Sequence, residues 1–237
     1  MKNSTKEIIN EINTYRDESK AAFLPRFFKT GKGEYGEGDQ FIGVVVPNLR
    51  IVAKKHFDAD FDTLRELLAS SYHEYRLTAL LALTYRYAKL KDHASRETCV
   101  NFYVSQVDAI NNWDLVDLSC YKILGHWLFD KDKQLLYDWA KENHLWKQRI
   151  AMISCMHFVK QGEFKDALAI ADLLQHHPHD LIHKAVGWIL REIGKEDEQL
   201  LVDYLTPRYK EMPRTMLRYA IERFEEGKRK AFLNSMI

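Results

Sequence analysis

Apolar and polar positions along this chain recur mostly every three to four residues, the spacing of helices that bury one stripe. Only VVV at 44–46 departs toward the two-residue alternation of strands, so the spacing predicts an all-α fold. Start and stop signals support that reading. Ser4 with Glu7 spells a capping box. Pro47 suits the first turn of a helix over residues 48–56. Asp60 and Asp92 stand where N-caps are needed. Pro178 opens HDLIHKAVGWILREIG, with Gly194 as the expected stop.

Five of the predicted helices begin alike, with a basic or aromatic residue followed by an apolar run. They are expected to start at Arg76, Trp113, Arg149, Lys184 and Arg214, in steps of 37, 36, 35 and 30 residues. A period near 35 residues, each holding two helices, predicts a HEAT-like helical-repeat solenoid with a concave binding face. The five starting residues would then form a ridge along that face. The expected organisation is one domain over 1–237. Residues 1–58 form an N-terminal helical cap and 60–237 the helix pairs. The cap holds a glycine-rich stretch, 31–43, with five of the ten glycines. Its sequence GKGEYGEGD lacks the GxxxxGK[ST] order of a phosphate loop and carries Glu34, Glu37 and Asp39, so it reads as a tight irregular connection.

Length and composition are those of a soluble globular chain: 237 residues, 46% hydrophobic, 29% charged. No run reaches the roughly 18 apolar residues of a membrane helix, and the charged N-terminus does not read as a signal peptide. Cys99, Cys120 and Cys155 are widely spaced in apolar contexts, which fits free thiols and a cytoplasmic protein. The net charge of +1 is uneven. Residues 205–237 hold eight Lys/Arg against four Glu, +4 at that end and −3 over the rest. That asymmetry is a weak sign of a polyanionic partner and equally fits a solvated helix face.

The chemistry concentrates in NNWDLVD, residues 111–117. Trp113 and Asp117 lie four residues apart, so a helix presents indole and carboxylate on one face. Arg149 in LWKQRIA and Trp188 in HKAVGWILRE stand at repeat-related positions. The plainer reading makes Trp113 a core residue and Asp117 a structural partner of an arginine such as Arg149. Trp127, Trp139 and Trp146 are assigned to packing. His176, His177, His179 and His183 crowd one helix start, but without HExxH or a carboxylate shell they read as a polar turn, and no metal or cofactor is expected.

The segment PRFFKTGKGEYGEGDQFIGVVVPNLR, with NNWDLVD, LWKQRIA and HKAVGWILRE in order, resembles the AlkD-type DNA alkylation repair proteins from about residue 20 to about residue 225. The resemblance implies a HEAT-like-repeat DNA glycosylase that removes cationic N3- or N7-alkylated purines from double-stranded DNA. Its functional residues carry over onto Trp113, Asp117, Arg149 and Trp188. In that reading Asp117 stabilises positive charge developing on the sugar, and Trp113 and Trp188 stack against the lesion or its sugar. Arg149 grips a phosphate, and Lys184, Arg191, Arg76 and Arg214 extend the phosphate track. The enzyme would be monofunctional and metal-independent, and a monomer, since duplex DNA must reach the concave face. Two rivals share the fold class: a non-catalytic binder of damaged or branched DNA, and a protein-binding solenoid.

Overall fold

A computed structural model describes residues 4–235, and its regular elements are all helical. Among the described residues the only strand-like pairing is an isolated bridge between Gln40 and Tyr72. The chain forms two compact units, Met1–Ile123 and Leu124–Ile237.

The first unit contains α1 (Thr5–Asn13), α2 (Glu18–Phe23), α3 (Pro25–Phe28), α4 (Val46–Lys55), α5 (Phe61–Leu68), α6 (His73–Lys89), α7 (His93–Ser105) and α8 (Trp113–Asp117). The caps form as the sequence dictates. Glu7 N–H donates to Ser4 Oγ at 3.3 Å while Ser4 N–H donates to the Glu7 carboxylate at 2.9 Å. Asp60 and Asp92 accept the amides of Thr63 and Ser95 at 2.9 and 2.8 Å. Each bond satisfies one of the amides a helix start leaves without a partner. Helix α6 is the unit's centre, buried from His73 to Thr84 and packed by α4, α5, α7 and α8. Helix α1 rests on α4 and α5, so residues before 58 share a core with residues after 60.

The helix expected from Trp113 onward is broken. Helix α8 ends at Asp117, and the chain resumes as a π-helical turn, Tyr121–Gly125. Between them Ser119 turns its hydroxyl back to the carbonyl of Leu115 and receives Tyr103 at 3.1 Å. Side-chain bonding of this kind competes with the helical ladder.

The second unit contains α9 (His126–Leu128), α10 (Gln134–Lys141), α11 (Leu145–Val159), α12 (Lys165–Leu174), α13 (Asp180–Glu196), α14 (Glu198–Leu205), α15 (Arg214–Ala220) and α16 (Glu226–Leu233). Helices α11, α13 and α15 lie side by side, and α10, α12 and α14 pack against them as their partners, so the pairing repeats within this unit. Gly187 sets the spacing of α13 and α15, because a Cβ there would stand 2.5 Å from the Met216 carbonyl and 2.5 Å from Tyr219 Cβ. Gly194 does not stop α13, which runs on to Glu196. Its missing Cβ instead leaves room for Leu201, whose Cδ2 would lie 2.4 Å away. Close packing, not termination, explains that glycine.

Candidate functional site

Helix α8 presents its residues in the order the spacing predicts. Asn112 caps it by accepting Trp113 N–H at 2.8 Å. Asp114, Leu115 and Val116 are buried, whereas Trp113 and Asp117 stay half-buried on the helix's outer side. One face of the Trp113 indole is covered by Phe28, nearly parallel at 6° with ring centres 5.3 Å apart. Asp117 lies near Tyr103, whose phenol is pushed well above its usual range by burial and further by the charge of Asp117.

Beneath this face is a buried polar cluster that the sequence does not announce. His73 Nε2 meets Asp114 Oδ2 at 2.8 Å and His73 Nδ1 stands 3.6 Å from Asp39. Arg76 Nη2 reaches the same Asp39 oxygen at 2.7 Å and Nη1 donates to the Ser70 carbonyl at 3.0 Å. Burial pulls the His73 pKa down, but the charge of Asp114 and the bonds to Asp114 and Asp39 outweigh it and raise it to about 9. Burial pushes the Asp39 carboxyl up, yet its bonds with His73 and Arg76 hold it below the usual range. Glu74 Oε1 accepts the amides of Ile42, Gly43 and Val44 at 2.8–3.3 Å. Its desolvation still dominates and raises the pKa.

The glycine-rich loop is what delivers these partners. At Gly36 a Cβ would lie 2.5 Å from the Phe28 carbonyl, and at Gly43 (φ +82°) only 1.9 Å from that of Asp17. The backbone therefore folds back on α2 and α3 where no larger residue fits, carrying Asp39 to α6 and the 42–44 amides to Glu74. Arg76 is the correction that follows. It is only 5% exposed, and its guanidinium is committed to Asp39 and Ser70 rather than to a phosphate.

In the second unit Trp188 is half-exposed and its indole N–H donates to Glu192 at 3.2 Å. Glu192 also binds Lys195 at 2.7 Å, and Arg191 pairs with Glu222. Lys184 pairs with Asp180 at 2.7 Å, and Arg214 donates to the Leu233 carbonyl at 2.8 Å. Arg149 is 5% exposed and donates to the Leu181 carbonyl. Arg218 and Arg223, counted in the basic segment 205–237 but not among the expected phosphate contacts, are exposed with no side-chain partner among the described residues. Arg218 lies one turn beyond Arg214 on α15, a spacing that could have flagged it. Trp139 and Trp146 are buried, and Trp127 lies under Lys131. The crowded histidines serve the entry to α13. His179 caps it by accepting Leu181 N–H at 3.1 Å, and His177 bonds Gln148 at 3.0 Å.

Comparison with known proteins places these features in context. A family model described as DNA alkylation repair enzyme matches residues 8–224. Among solved structures, a predicted DNA alkylation repair enzyme from Enterococcus faecalis superposes with a TM-score of 0.68 at 13% identity, covering 89% of this chain and 97% of the other. AlkD2 from Streptococcus mutans gives 0.54 at 16% identity, covering 88% and 99%. These likenesses speak for the fold. No curated protein matches the chain by sequence.

Proposed function

From the premise that the chain belongs to the DNA alkylation repair enzyme family, we propose that it is a DNA glycosylase cleaving the N-glycosidic bond of cationic N3- or N7-alkylated purines in double-stranded DNA. The observation that carries the proposal is α8. On a helix whose intervening residues are buried, an indole and a carboxylate are the groups left toward solvent.

Alkylation at N3 or N7 makes the purine a good leaving group, which departs neutral with the electron pair of the C1′–N bond. It needs no general acid. The demanding partner is the sugar, which acquires oxocarbenium character as the bond stretches. Asp117 supplies an anion opposite that charge and accepts the proton that water loses on adding to C1′. Trp113, backed by Phe28, offers a rigid aromatic surface to the cationic nucleotide, an interaction of about 0.5–2 kcal/mol. Trp188 is assigned the same kind of stacking on DNA.

Phosphate contact falls first to the exposed Arg218 and Arg223. Lys184, Arg191 and Arg214 contribute by exchanging their present partners for phosphate. Arg149, whose guanidinium donates to the Leu181 carbonyl, is assigned its expected phosphate role in the same way, by exchange of partners. Neither cofactor nor metal has a part in these steps, and the protein acts as a cytoplasmic monomer.

The test is release of free base from duplex DNA containing N7-methylguanine. Base release that leaves an abasic site supports the proposal. DNA binding without release would replace it with the non-catalytic reading. Failure to bind DNA in a salt-dependent way would leave a protein-binding scaffold.

A further inference from the structure

Helix α8 spans only Trp113–Asp117, and the chain changes course just after it, at Ser119 and the π-helical turn Tyr121–Gly125. Five residues fall far below the roughly 12–15 at which an isolated helix becomes marginally stable. No further turns of the same helix fix where Trp113 and Asp117 point, so their direction has to come from what α8 is fastened to. Leu115 and Val116 are fully buried and hold the helix down. Apolar burial is non-directional, however, and does not by itself set how the helix is rolled about its axis.

Two polar attachments have direction. Ahead of the helix, Asn111 and Asn112 each turn Nδ2 toward Asp39, at 3.5 and 3.4 Å, which is long for a hydrogen bond. Inside the helix, Asp114 Oδ2 accepts from His73 Nε2 at 2.8 Å, a short bond between two buried groups of opposite charge. Asp114 Oδ1 has no hydrogen-bond partner among the described residues, so the carboxylate is held from the His73 side. His73 is itself firmly placed. The rings of Phe28 and Phe41 stack on it with centres 4.7 and 5.0 Å away, and Phe28 in turn lies flat on Trp113. One imidazole therefore meets α8 by two routes, a bond to Asp114 and a ring contact that leads to Trp113.

We propose that His73 is a positioning residue: its bond to Asp114 fixes the roll of α8 and so the direction of Trp113 and Asp117. Its effect on the reaction rests on the glycosylase reading, whereas its effect on the helix does not. Side chains reach about 5–6 Å from a helix axis, so a roll of about 10° carries their ends about 1 Å. A misplacement of that size costs about 10²-fold in rate. The hold on Asp114 thus matters to the chemistry although neither His73 nor Asp114 faces solvent.

The experiment combines fluorine NMR of the full chain labelled with 5-fluorotryptophan and single-turnover release of N7-methylguanine at saturating protein. The five tryptophans give five signals, and Trp113→Phe identifies that of Trp113. Asp114→Ala removes the bond and should move the Trp113 signal while the other four stay in place. It should also slow release by about 10²-fold, with affinity for undamaged duplex near that of wild type. His73→Phe keeps a ring against Phe28 and Phe41 without the donor, should have both effects, and serves alone if Asp114→Ala fails to fold. Asp114→Asn keeps an oxygen to accept Nε2–H and should restore the signal and most of the rate. Combining Asp114→Ala with His73→Phe should add nothing, because each has already removed the same bond. An unmoved Trp113 signal in the folded variants would overturn the proposal, as would all five signals moving together, the mark of general loosening. A moved signal with an unchanged release rate would remove His73 from the chemistry. If the wild type releases no base, the glycosylase reading falls by itself, and the fluorine signals still decide whether His73 sets α8.

Discussion

Replacing His73 by Gln should change how the protein's stability depends on pH, not only its stability at one pH. The imidazole is 2% exposed and held between Asp114 at 2.8 Å and Asp39 at 3.6 Å. Its pKa is raised from 6.5 to about 9, because the charge of Asp114 and two carboxylate bonds overcome the opposing effect of burial. At about 1.4 kcal/mol per pH unit, that difference corresponds to about 3 kcal/mol. The folded pKa lies above the unfolded one, so the contribution is complete below pH 6.5 and disappears as pH rises through about 9. Gln keeps a donor for Asp114 but carries no proton to lose in this range. Urea unfolding of both proteins from pH 6 to pH 10 gives two stability curves. Their difference cancels the tyrosines and cysteines that titrate at high pH and have no contact with His73. The wild type should exceed His73→Gln by about 3 kcal/mol more at pH 6 than at pH 10. Parallel curves would refute the reasoning and mean that His73 is neutral in the folded protein.

Asp39→Ala should be severely destabilising, by about 3–5 kcal/mol in urea unfolding, because it strands the buried Arg76 guanidinium. Gly187→Ala should lower stability by about 1–2 kcal/mol on thermal melting. Crowding of Met216 and Tyr219 costs about 1–3 kcal/mol, and better helix propensity returns up to about 1. Arg218→Ala should leave the melting temperature unchanged yet reduce the slope of log DNA affinity against log salt by about 0.9, read by fluorescence anisotropy.

Local signals were legible in the sequence, and long-range ones were not. Ser4, Asp60 and Asp92 cap helices through bonds to residues three positions on, so their roles can be read from a few neighbouring letters. Spacing alone likewise puts Trp113 and Asp117 on the outer side of one helix. Helix-start estimates at Arg76, Arg149 and Lys184 were late by about one turn, since α6, α11 and α13 begin at His73, Leu145 and Asp180. The apolar run marks a helix's interior better than its first turn, where polar residues are free to vary.

Arg76 shows why function was harder to read. A basic residue near a repeat start looks the same whether it faces solvent or the core. What decides is Asp39, brought from a different part of the chain by a loop whose glycines read merely as a tight irregular connection. Glu74 is a second case. A carboxylate inside the apolar helix α6 needed an explanation, and its partners, the amides of residues 42–44, could not be guessed from their own side chains. Gly194 is a third, since a packing glycine and a terminating glycine are indistinguishable until Leu201 is seen against it.

The most direct test of the central claim compares wild type with Asp117→Asn in single-turnover release of N7-methylguanine from duplex DNA. The substitution preserves size and removes the anion that opposes charge on the sugar. Loss of a preorganised electrostatic group of this kind slows a reaction by about 10²–10³-fold. The account predicts a fall of at least that size, with DNA affinity and melting temperature held near wild type. Equal rates for the two proteins would contradict it and take Asp117 out of the chemistry.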